Sequence, residues 1–183
     1  MAFNINEIRA NLKQGGARNT LFQVQINNPV AGVADLKMPF LIQAASLPEW
    51  TLGVIQVPYM GRVIHVPGDR QFSPWTVEVI NDEDFAIRDA LETWNNKIQT
   101  LEGNIRDLPS SEASYYTTTA TVSQLAKTGQ VLRQYEFANL WPMQLGGIEL
   151  SWAAQDQIEV FPATFVYDSY KVSGGSTGSA GGV

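Results

Sequence analysis

Apolar and polar residues alternate in several short stretches of the chain. In residues 22–26 the apolar side chains alternate with two glutamines, and in residues 75–79 they alternate with a threonine and a glutamate. Alternation sends successive side chains of a strand to opposite faces, one towards a core and the next towards solvent. The same pattern recurs at 148–152. All three stretches are therefore predicted to be half-buried strands.

Other strands are predicted from residue type. Residues 40–44 are almost continuously apolar, which indicates burial on both faces, whereas residues 61–66 are rich in β-branched side chains and lead into a predicted turn at 67–69. Two further strands are predicted over 131–139, ended by the proline at 142, and over 158–170.

The spacing of apolar residues changes after residue 81. Spacings of four and three residues place one apolar stripe on the face of a helix. The stripe consists of Ile87, Leu91, Trp94, Ile98 and Leu101. Acidic residues at 82–84 favour the positive end of the helix dipole. The pattern predicts one amphipathic helix over residues 83–101, and a shorter helix is expected at residues 5–12.

These elements predict a mainly β fold, a β-sandwich or partly closed antiparallel barrel with one packed α-helix. Residues 1–172 are expected to form a single domain, and residues 173–183, which are rich in glycine and serine, a flexible tail. Trp75, Trp94 and Trp152 occupy core-facing positions of their own elements and are predicted to be buried.

The segment 46–58, SLPEWTLGVIQVP, is apolar without a single core-facing side. Contiguous exposed apolar surface usually marks an interaction site. We therefore expect a loop or protruding hairpin that makes subunit contacts, with the alternative of a hairpin folded over its own core. The contact residues predicted in this segment are Trp50, Leu52, Val54, Ile55 and Val57.

Composition narrows the class of protein. The chain has 183 residues, no cysteine and a formal net charge of −6. Without a long apolar run or a signal-peptide layout, we expect a soluble, non-exported protein. Acidic character without basic clusters argues against tight nucleic-acid binding, although an acidic wall would let DNA slide past. Simple solubility accounts for this charge equally well.

Candidate chemistry is sparse, and we predict no catalytic, cofactor or metal site. His65 is the only histidine, and no serine stands in a glycine-framed nucleophile elbow. The acidic residues at 82–84 lack the spacing of a calcium loop and are interpreted as a helix start. Asp69 and Arg70 are predicted to form an ion pair between strands or subunits, or a solvated surface pair.

The block GRVIHVPGDRQFSPWTVEVINDE, followed by an acidic amphipathic helix, resembles the central block of the tail tube proteins of contractile-tailed, T4-like bacteriophages (myoviruses). The similarity extends over most of the chain, through NTLFQV at 19–24, AASLP at 44–48, LWP at 140–142 and IEVF at 158–161. The order and spacing of these blocks are more specific than any block alone.

The resemblance implies a structural virion protein with the tail tube fold. Its subunits would form hexameric rings that stack into a tube inside a contractile sheath and conduct DNA into the host without binding it specifically. The contacts in segment 46–58, with Asp69 and Arg70, would then join subunits or rings. The polar, β-branched strand at 115–124 would line the lumen or complete a sheet between subunits through Thr117, Thr119, Thr121 and Ser123.

The resemblance also implies partners: further copies of the chain, the tail sheath protein, baseplate and tail terminator proteins, and the host envelope during ejection. The expected location is the virion tail, after assembly in the host cytoplasm. Two alternatives stay open. One is the tube of a phage-derived contractile injection system that carries protein cargo, and the other is a monomeric β-sandwich binding module.

Overall fold

The fold is known from a computed structural model, which describes residues 5–12, 16–30, 36–106 and 115–180. The elements in chain order are α1 (Ile5–Asn11), β1 (Phe22–Ile26), α2 (Met38–Leu41), β2 (Ile42–Ala45), β3 (Trp50–Tyr59), β4 (Arg62–Phe72), β5 (Trp75–Ile80), α3 (Ala86–Ile98), β6 (Thr118–Leu125), β7 (Val131–Leu145), β8 (Val160–Val166) and β9 (Ser169–Ser173). None of the described helices is both long and apolar enough to span a membrane.

The strands pack as two antiparallel sheets that share β7. Sheet A consists of β1, β6, the first half of β7, and β9, and sheet B consists of β2, β5, β8 and the second half of β7. Between its two halves β7 passes through Asn139, whose φ of 55° is left-handed. This residue interrupts the extended strand, so β7 passes from one sheet to the other.

The core lies between the sheets and under α3, and its largest members are aromatic. The rings of Trp75 and Phe137 stack at 4.6 Å between centroids, which joins sheet B to sheet A. Trp94 of α3 is fully buried, and its indole N–H donates to the carbonyl of Tyr116 at 2.9 Å. The predicted sandwich with one packed helix is therefore confirmed, as are the predicted strands at 22–26 and 75–79.

Helix α3 is shorter than the predicted span of 83–101. The backbone N–H of Phe85 donates to the carbonyl of Asp82, and Phe85 itself has a φ of 52°, so residues 82–85 form a turn before the helix. The N–H of Ala86 then donates to the Asp84 carboxylate at 3.1 Å. The acidic residues 82–84 therefore lie in the turn before the helix, whereas the pattern had placed them in the first turn of the helix itself.

Three other strand predictions are wrong at their ends. Strand β4 continues through residues 67–69, which form a bulge opposite Gly53 instead of a turn. A Cβ at Gly68 would lie 3.1 Å from the backbone of Gly53, so a side chain there would push the two strands slightly apart. Strand β7 continues past Pro142, because a register shift there tolerates the missing N–H. The strand expected over 158–170 divides into β8 and β9.

The predicted strand at 148–152 is absent from the described fold, and its tryptophan is not in the core. Residues 146–159 form an excursion between β7 and β8, and the Trp152 side chain is 104% exposed. A stretch with alternating side chains forms part of a sheet only when a neighbouring strand hydrogen-bonds to it, and no described strand pairs with residues 148–152. The predicted burial of Trp152 is wrong, whereas that of Trp75 and Trp94 is confirmed.

Candidate assembly surfaces

Strands β3 and β4 form a two-stranded hairpin that is separate from both sheets. Its turn is Met60-Gly61, with φ of 43° and 78°, and these two positive values match the twist of a type I′ turn. Nearly every residue of the hairpin is exposed. The alternative of a hairpin folded over its own core is therefore wrong.

The hairpin is anchored to the rest of the molecule at its root. Phe72 contacts the rings of Tyr167 and Tyr170, each at 5.7 Å between centroids. Burial raises the pKa of Tyr167 to about 12, with smaller contributions from Tyr170 and Glu49. A phenol in this position stays neutral over the physiological range, so Tyr167 adds no charge to the aromatic cluster at the root.

Beyond the root, the two faces of the hairpin differ in chemistry. Cross-strand pairing places Ile55 opposite Val66 and Val57 opposite Ile64 on one face. These four side chains are 41% to 54% exposed, and we call them the apolar face of the hairpin. The other face carries the polar Gln56 and His65 pair between two apolar pairs, Val54 with Pro67 and Pro58 with Val63. An apolar face on a ribbon with no core behind it needs a partner to leave water.

The residues predicted to make contacts all lie on this hairpin. Trp50, Leu52, Val54, Ile55 and Val57 are exposed on β3. Arg70 lies opposite Leu52, and its guanidinium stands 4.8 Å from the ring centroid of Trp50. Ion pairs within the described residues do not include one between Asp69 and Arg70. The contact role of the whole set stays a prediction.

The outer face of sheet A is polar across its full width. Two rows of cross-strand partners are Gln25, Thr121, Glu136 and Lys171, and Gln23, Ser123, Gln134 and Ser173. The strands alternate, so these side chains point away from the buried Val24, Val122 and Phe137. Lys171 and Glu136 form an ion pair at 3.2 Å. The face therefore offers amides, hydroxyls and one neutralised pair.

The predicted polar strand contributes to this face. Thr119, Thr121 and Ser123 share the outer side of β6, because Ala120 and Val122 between them are buried. Thr117 lies just before the strand begins. Whether these residues line a channel stays a prediction.

Sheet A ends in two strands with only one neighbour each. In the described part of the chain, β1 pairs only with β6, and β9 pairs only with β7. The N–H of Asn27 donates to Thr119, and the carbonyl of Leu21 accepts from Leu125. Antiparallel pairing alternates, so the main-chain groups of Phe22, Val24 and Ile26 point away from β6. An exposed strand edge of this kind is a template for pairing with another chain.

A groove of about 570 Å³ lies in the excursion between β7 and β8. Its apolar lining includes Ile148, Leu150 and Ile158, and Glu149 and Glu159 also line it. Glu159 is held in place, because its carboxylate accepts from the Asn81 amide at 2.8 Å. We call this the 147–160 groove.

Lys37 joins the α2 region to the acidic turn before α3. Its ammonium pairs with Asp82 at 3.2 Å and with Asp84. The hydrogen bonds that the Lys37 ammonium donates to Asp84 and then to Asp82 raise the pKa of Lys37. The hydrogen bond that Asp84 accepts from Lys37 is the main cause of the lowered pKa of Asp84. The pair fixes the loop to the start of the helix.

A pH dependence follows from this pair. The pKa of Asp84 is lower in the folded state than its ordinary 3.8, so the stabilisation is fully present above that value and is lost as pH falls through the folded pKa. We expect the thermal midpoint of the native chain to exceed that of Lys37→Met at neutral pH, and the gap to close below about pH 3.8. Lys127→Met, in the β6–β7 turn, is the control, and a gap that is constant with pH would contradict the assignment.

Among the described residues, we find no arrangement of side chains that would support catalysis. His65 is exposed on β4 and faces Gln56 across the hairpin. Within residues 5–12, 16–30, 36–106 and 115–180, no group of acidic and histidine side chains is arranged to hold a metal ion.

Sequence reasoning missed three parts of these surfaces. The apolar residues of β4, the edges of β1 and β9, and the 147–160 groove were not predicted. The β4 residues carried a signal, since valine and isoleucine recur on both sides of Met60-Gly61. The edges and the groove carried none, because they depend on which strands become neighbours.

Comparison with known proteins connects these surfaces to a family. A family model described as phage tail tube protein matches residues 2–173. The chain is 32% identical over 156 residues to the tail tube protein gp19 of Enterobacteria phage T4, covering 85% of this chain and 91% of that protein. It is 28% identical over 168 residues to the tail tube protein of Serratia phage KSP90, covering 89% and 93%.

A solved structure agrees at the level of the fold. A chain from the cryo-EM structure of the PVC sheath/tube terminator of an extracellular contractile injection system, in its extended state, matches with a TM-score of 0.63 at 17% identity. The match covers 84% of the present chain and 94% of the other.

Proposed function

This chain belongs to the phage tail tube protein family, and from that premise we propose that its subunits close into hexameric rings through sheet A and stack into a hollow tube. It is a structural protein of a contractile phage tail and is located in the virion tail. The family relationship gives the class of function. The described surfaces support the way in which the subunits assemble.

The observation that carries the ring proposal is that sheet A has two complementary edges. The outward main-chain groups of β1 on one subunit pair with the edge of β9 on the next, which continues the sheet around the ring. Each subunit has both edges, so the contact is heterologous and repeats until the ring closes. No strand edge of sheet A then remains in water.

The polar outer face of sheet A lines the lumen in this arrangement. Its described charges are Glu136 and Lys171, which pair with each other, so this wall is nearly neutral. The net charge of −6 left open both an acidic wall and simple solubility, and the strands of sheet A do not carry that excess charge. A neutral wall of amides and hydroxyls has no cationic cluster to hold phosphates, and DNA passes without specific binding.

The partners follow from the place of such a tube in a contractile tail. We propose contacts with the sheath protein outside, with the baseplate at one end and with a terminator at the other. Assembly takes place in the host cytoplasm, and the tube crosses the host envelope when the sheath contracts. The role is mechanical and involves no turnover of a substrate.

A second candidate keeps the tube and changes its cargo from DNA to protein. The similarity to a chain of an extracellular contractile injection system is the reason for naming this second candidate, although at 17% identity that similarity concerns the fold. The 32% identity to a phage protein favours DNA. Purified particles that contain the tube decide between them, since a phage particle holds DNA in a capsid and an injection particle does not.

Electron microscopy of the purified protein over a concentration series, together with its mass in solution, tests the ring proposal. Hexameric rings or hollow tubes are expected, alone or after addition of baseplates. A protein that is monomeric at every concentration and also fails to polymerise on baseplates would contradict the proposal and favour the monomeric binding module.

The C-terminal tail gives a prediction about the start of polymerisation. Thr177 donates its backbone N–H and its hydroxyl to the carbonyl of Leu132, at 3.2 and 2.7 Å, so the segment after β9 lies along β7. Residues 173–183 were predicted to be a flexible tail, and we propose that this segment delays assembly because its part around Thr177 covers the start of β7. A chain ending at Val172 is expected to polymerise with a shorter lag in light scattering. Thr177→Val should shorten the lag less, and an unchanged lag for the truncated chain would contradict the proposal.

A further inference from the structure

The hairpin and the 147–160 groove extend from opposite ends of one strand pair. The hairpin leads into β5 two residues before Trp75, and Trp75 pairs with Phe165 of β8. The groove leads into β8 at Val160, which pairs with Ile80 at the other end of β5. The first and last of the six residues of β5 lie about 17 Å apart, at a rise of ~3.3 Å from one residue to the next. The two surfaces are therefore attached at opposite ends of β5.

The two surfaces have matching chemistry. The hairpin tip carries Tyr59, Met60 and Arg62, and Met60 is 87% exposed. Arg62 is the only charged residue in the distal hairpin from Val54 to Pro67. The groove presents apolar side chains around the carboxylates of Glu149 and Glu159. A basic, apolar tip thus corresponds to an acidic, apolar groove.

Within the described subunit, apolar residues of both surfaces stay exposed, and Arg62 and Glu149 form no ion pair. Leu150 is 80% exposed and Ile158 is 72% exposed, although both line a concave site. The ion pairs within the described residues join Lys37, Arg88 and Lys171 to acidic partners and do not involve Arg62 or Glu149. Apolar groups around a carboxylate favour a ligand that brings both apolar surface and a cation.

We propose that the hairpin tip of one subunit inserts into the 147–160 groove of a second copy of this chain, where Arg62 pairs with Glu149. The inference rests on the proposed function, because it specifies how one ring receives the next. Met60 and Tyr59 contact the apolar lining, and the arginine fixes the depth of insertion. The groove and the tip belong to opposite ends of the subunit, so the contact repeats from ring to ring.

Charge reversal tests the ion pair. Arg62→Glu and Glu149→Arg are each expected to raise the protein concentration needed for tube formation at least about tenfold, because each brings like charges together. The chain that carries both substitutions is expected to assemble at a concentration within about threefold of the native value, since the pair is restored with exchanged signs. Single variants that assemble normally, or a double variant without recovery, would overturn the pairing.

Cysteine cross-linking tests the contact without requiring tubes. The chain has no cysteine, so Met60→Cys in one preparation and Leu150→Cys in another supply the only thiols. After mixing and mild oxidation, disulfide-linked dimers are expected in at least about tenfold excess over a control mixture of Met60→Cys with Gln25→Cys, which lies on sheet A. An equal yield from the control mixture would overturn the contact.

The two kinds of failure are distinguishable. If the native chain forms tubes but the cross-link shows no preference, the inference about the groove fails and the tube function stands. If the native chain never forms rings or tubes, even on baseplates, while the cross-link is specific, the ring proposal fails and the contact between copies stands.

Discussion

Replacement of Val57 and Ile64 by threonine is expected to prevent tube formation while the subunit stays folded. The two side chains lie opposite each other on the apolar face of the hairpin and are 44% and 54% exposed in the subunit. Threonine preserves the strand propensity but adds a hydroxyl that must lose water on contact. A loss of about 3 kcal/mol per contact corresponds to roughly a hundredfold higher concentration for assembly.

The opposite face of the same hairpin supplies the control. Gln56→Thr with His65→Thr changes the neighbouring cross-strand pair and leaves the apolar face intact. Assembly is measured by sedimentation and electron microscopy, and folding by the thermal midpoint. Equal loss of assembly in both double variants would show that the hairpin contacts its neighbour through both faces, and normal assembly of Val57→Thr with Ile64→Thr would remove the hairpin from the interface.

Trp94→Ala is expected to lower the free energy of unfolding by about 3–5 kcal/mol, the range for removal of a large aromatic side chain from a core. The indole is fully buried against sheet B, with its ring centroid 6.4 Å from that of Phe165. The substitution also removes the hydrogen bond to the carbonyl of Tyr116 at 2.9 Å, which leaves a buried acceptor. Urea unfolding of the dilute subunit measures the effect.

Trp152→Ala is the matched comparison, because alternation predicted the same burial for both tryptophans. Trp152 is 104% exposed, so its removal is expected to change the free energy of unfolding by no more than about 0.5 kcal/mol. A loss of several kcal/mol at Trp152 in the dilute subunit would show that the 146–159 excursion packs on the core in solution.

The sequence was sufficient for elements whose neighbours are local or whose pattern is strong. The amphipathic stripe around Leu91 and Trp94 predicted α3, and alternation at 22–26 and 75–79 predicted β1 and β5. The buried residues of β1 and β5 are those that the pattern placed inward, and so are Ile87, Leu91 and Trp94 of α3. The predicted place of Leu101 in the same stripe is wrong, because Leu101 lies beyond the helix and is 85% exposed. Fold class followed from the number and spacing of such elements.

Failures occurred where a tertiary neighbour decides the outcome. Residues 148–152 alternate as well as 75–79 do, but no described strand lies beside them. Pro142 was expected to end β7, and a bulge accommodates it. Gly68 was expected in a turn, and a close approach to Gly53 explains it instead. Composition does not reveal such pairings, since they depend on residues far away in the chain.

The candidate surfaces, too, were predicted where the local pattern is strong and missed where distant neighbours decide. The apolar residues of β3 were predicted because their composition is unusual for a loop, and the polar face of β6 because threonine and serine recur at alternate positions. The two outer strands of sheet A, β1 and β9, lie about 150 positions apart in the chain. Only the folded sheet shows that these two strands form its opposite edges.

The opposite placement of the hairpin and the 147–160 groove gives any filament of this subunit a direction. In the proposed tube every ring displays hairpins towards one end and grooves towards the other, so the two ends are chemically unlike. One end is basic and apolar, and the other is acidic. A protein shaped to begin the tube at one end cannot also close it at the other, and growth by addition of rings proceeds with a single orientation.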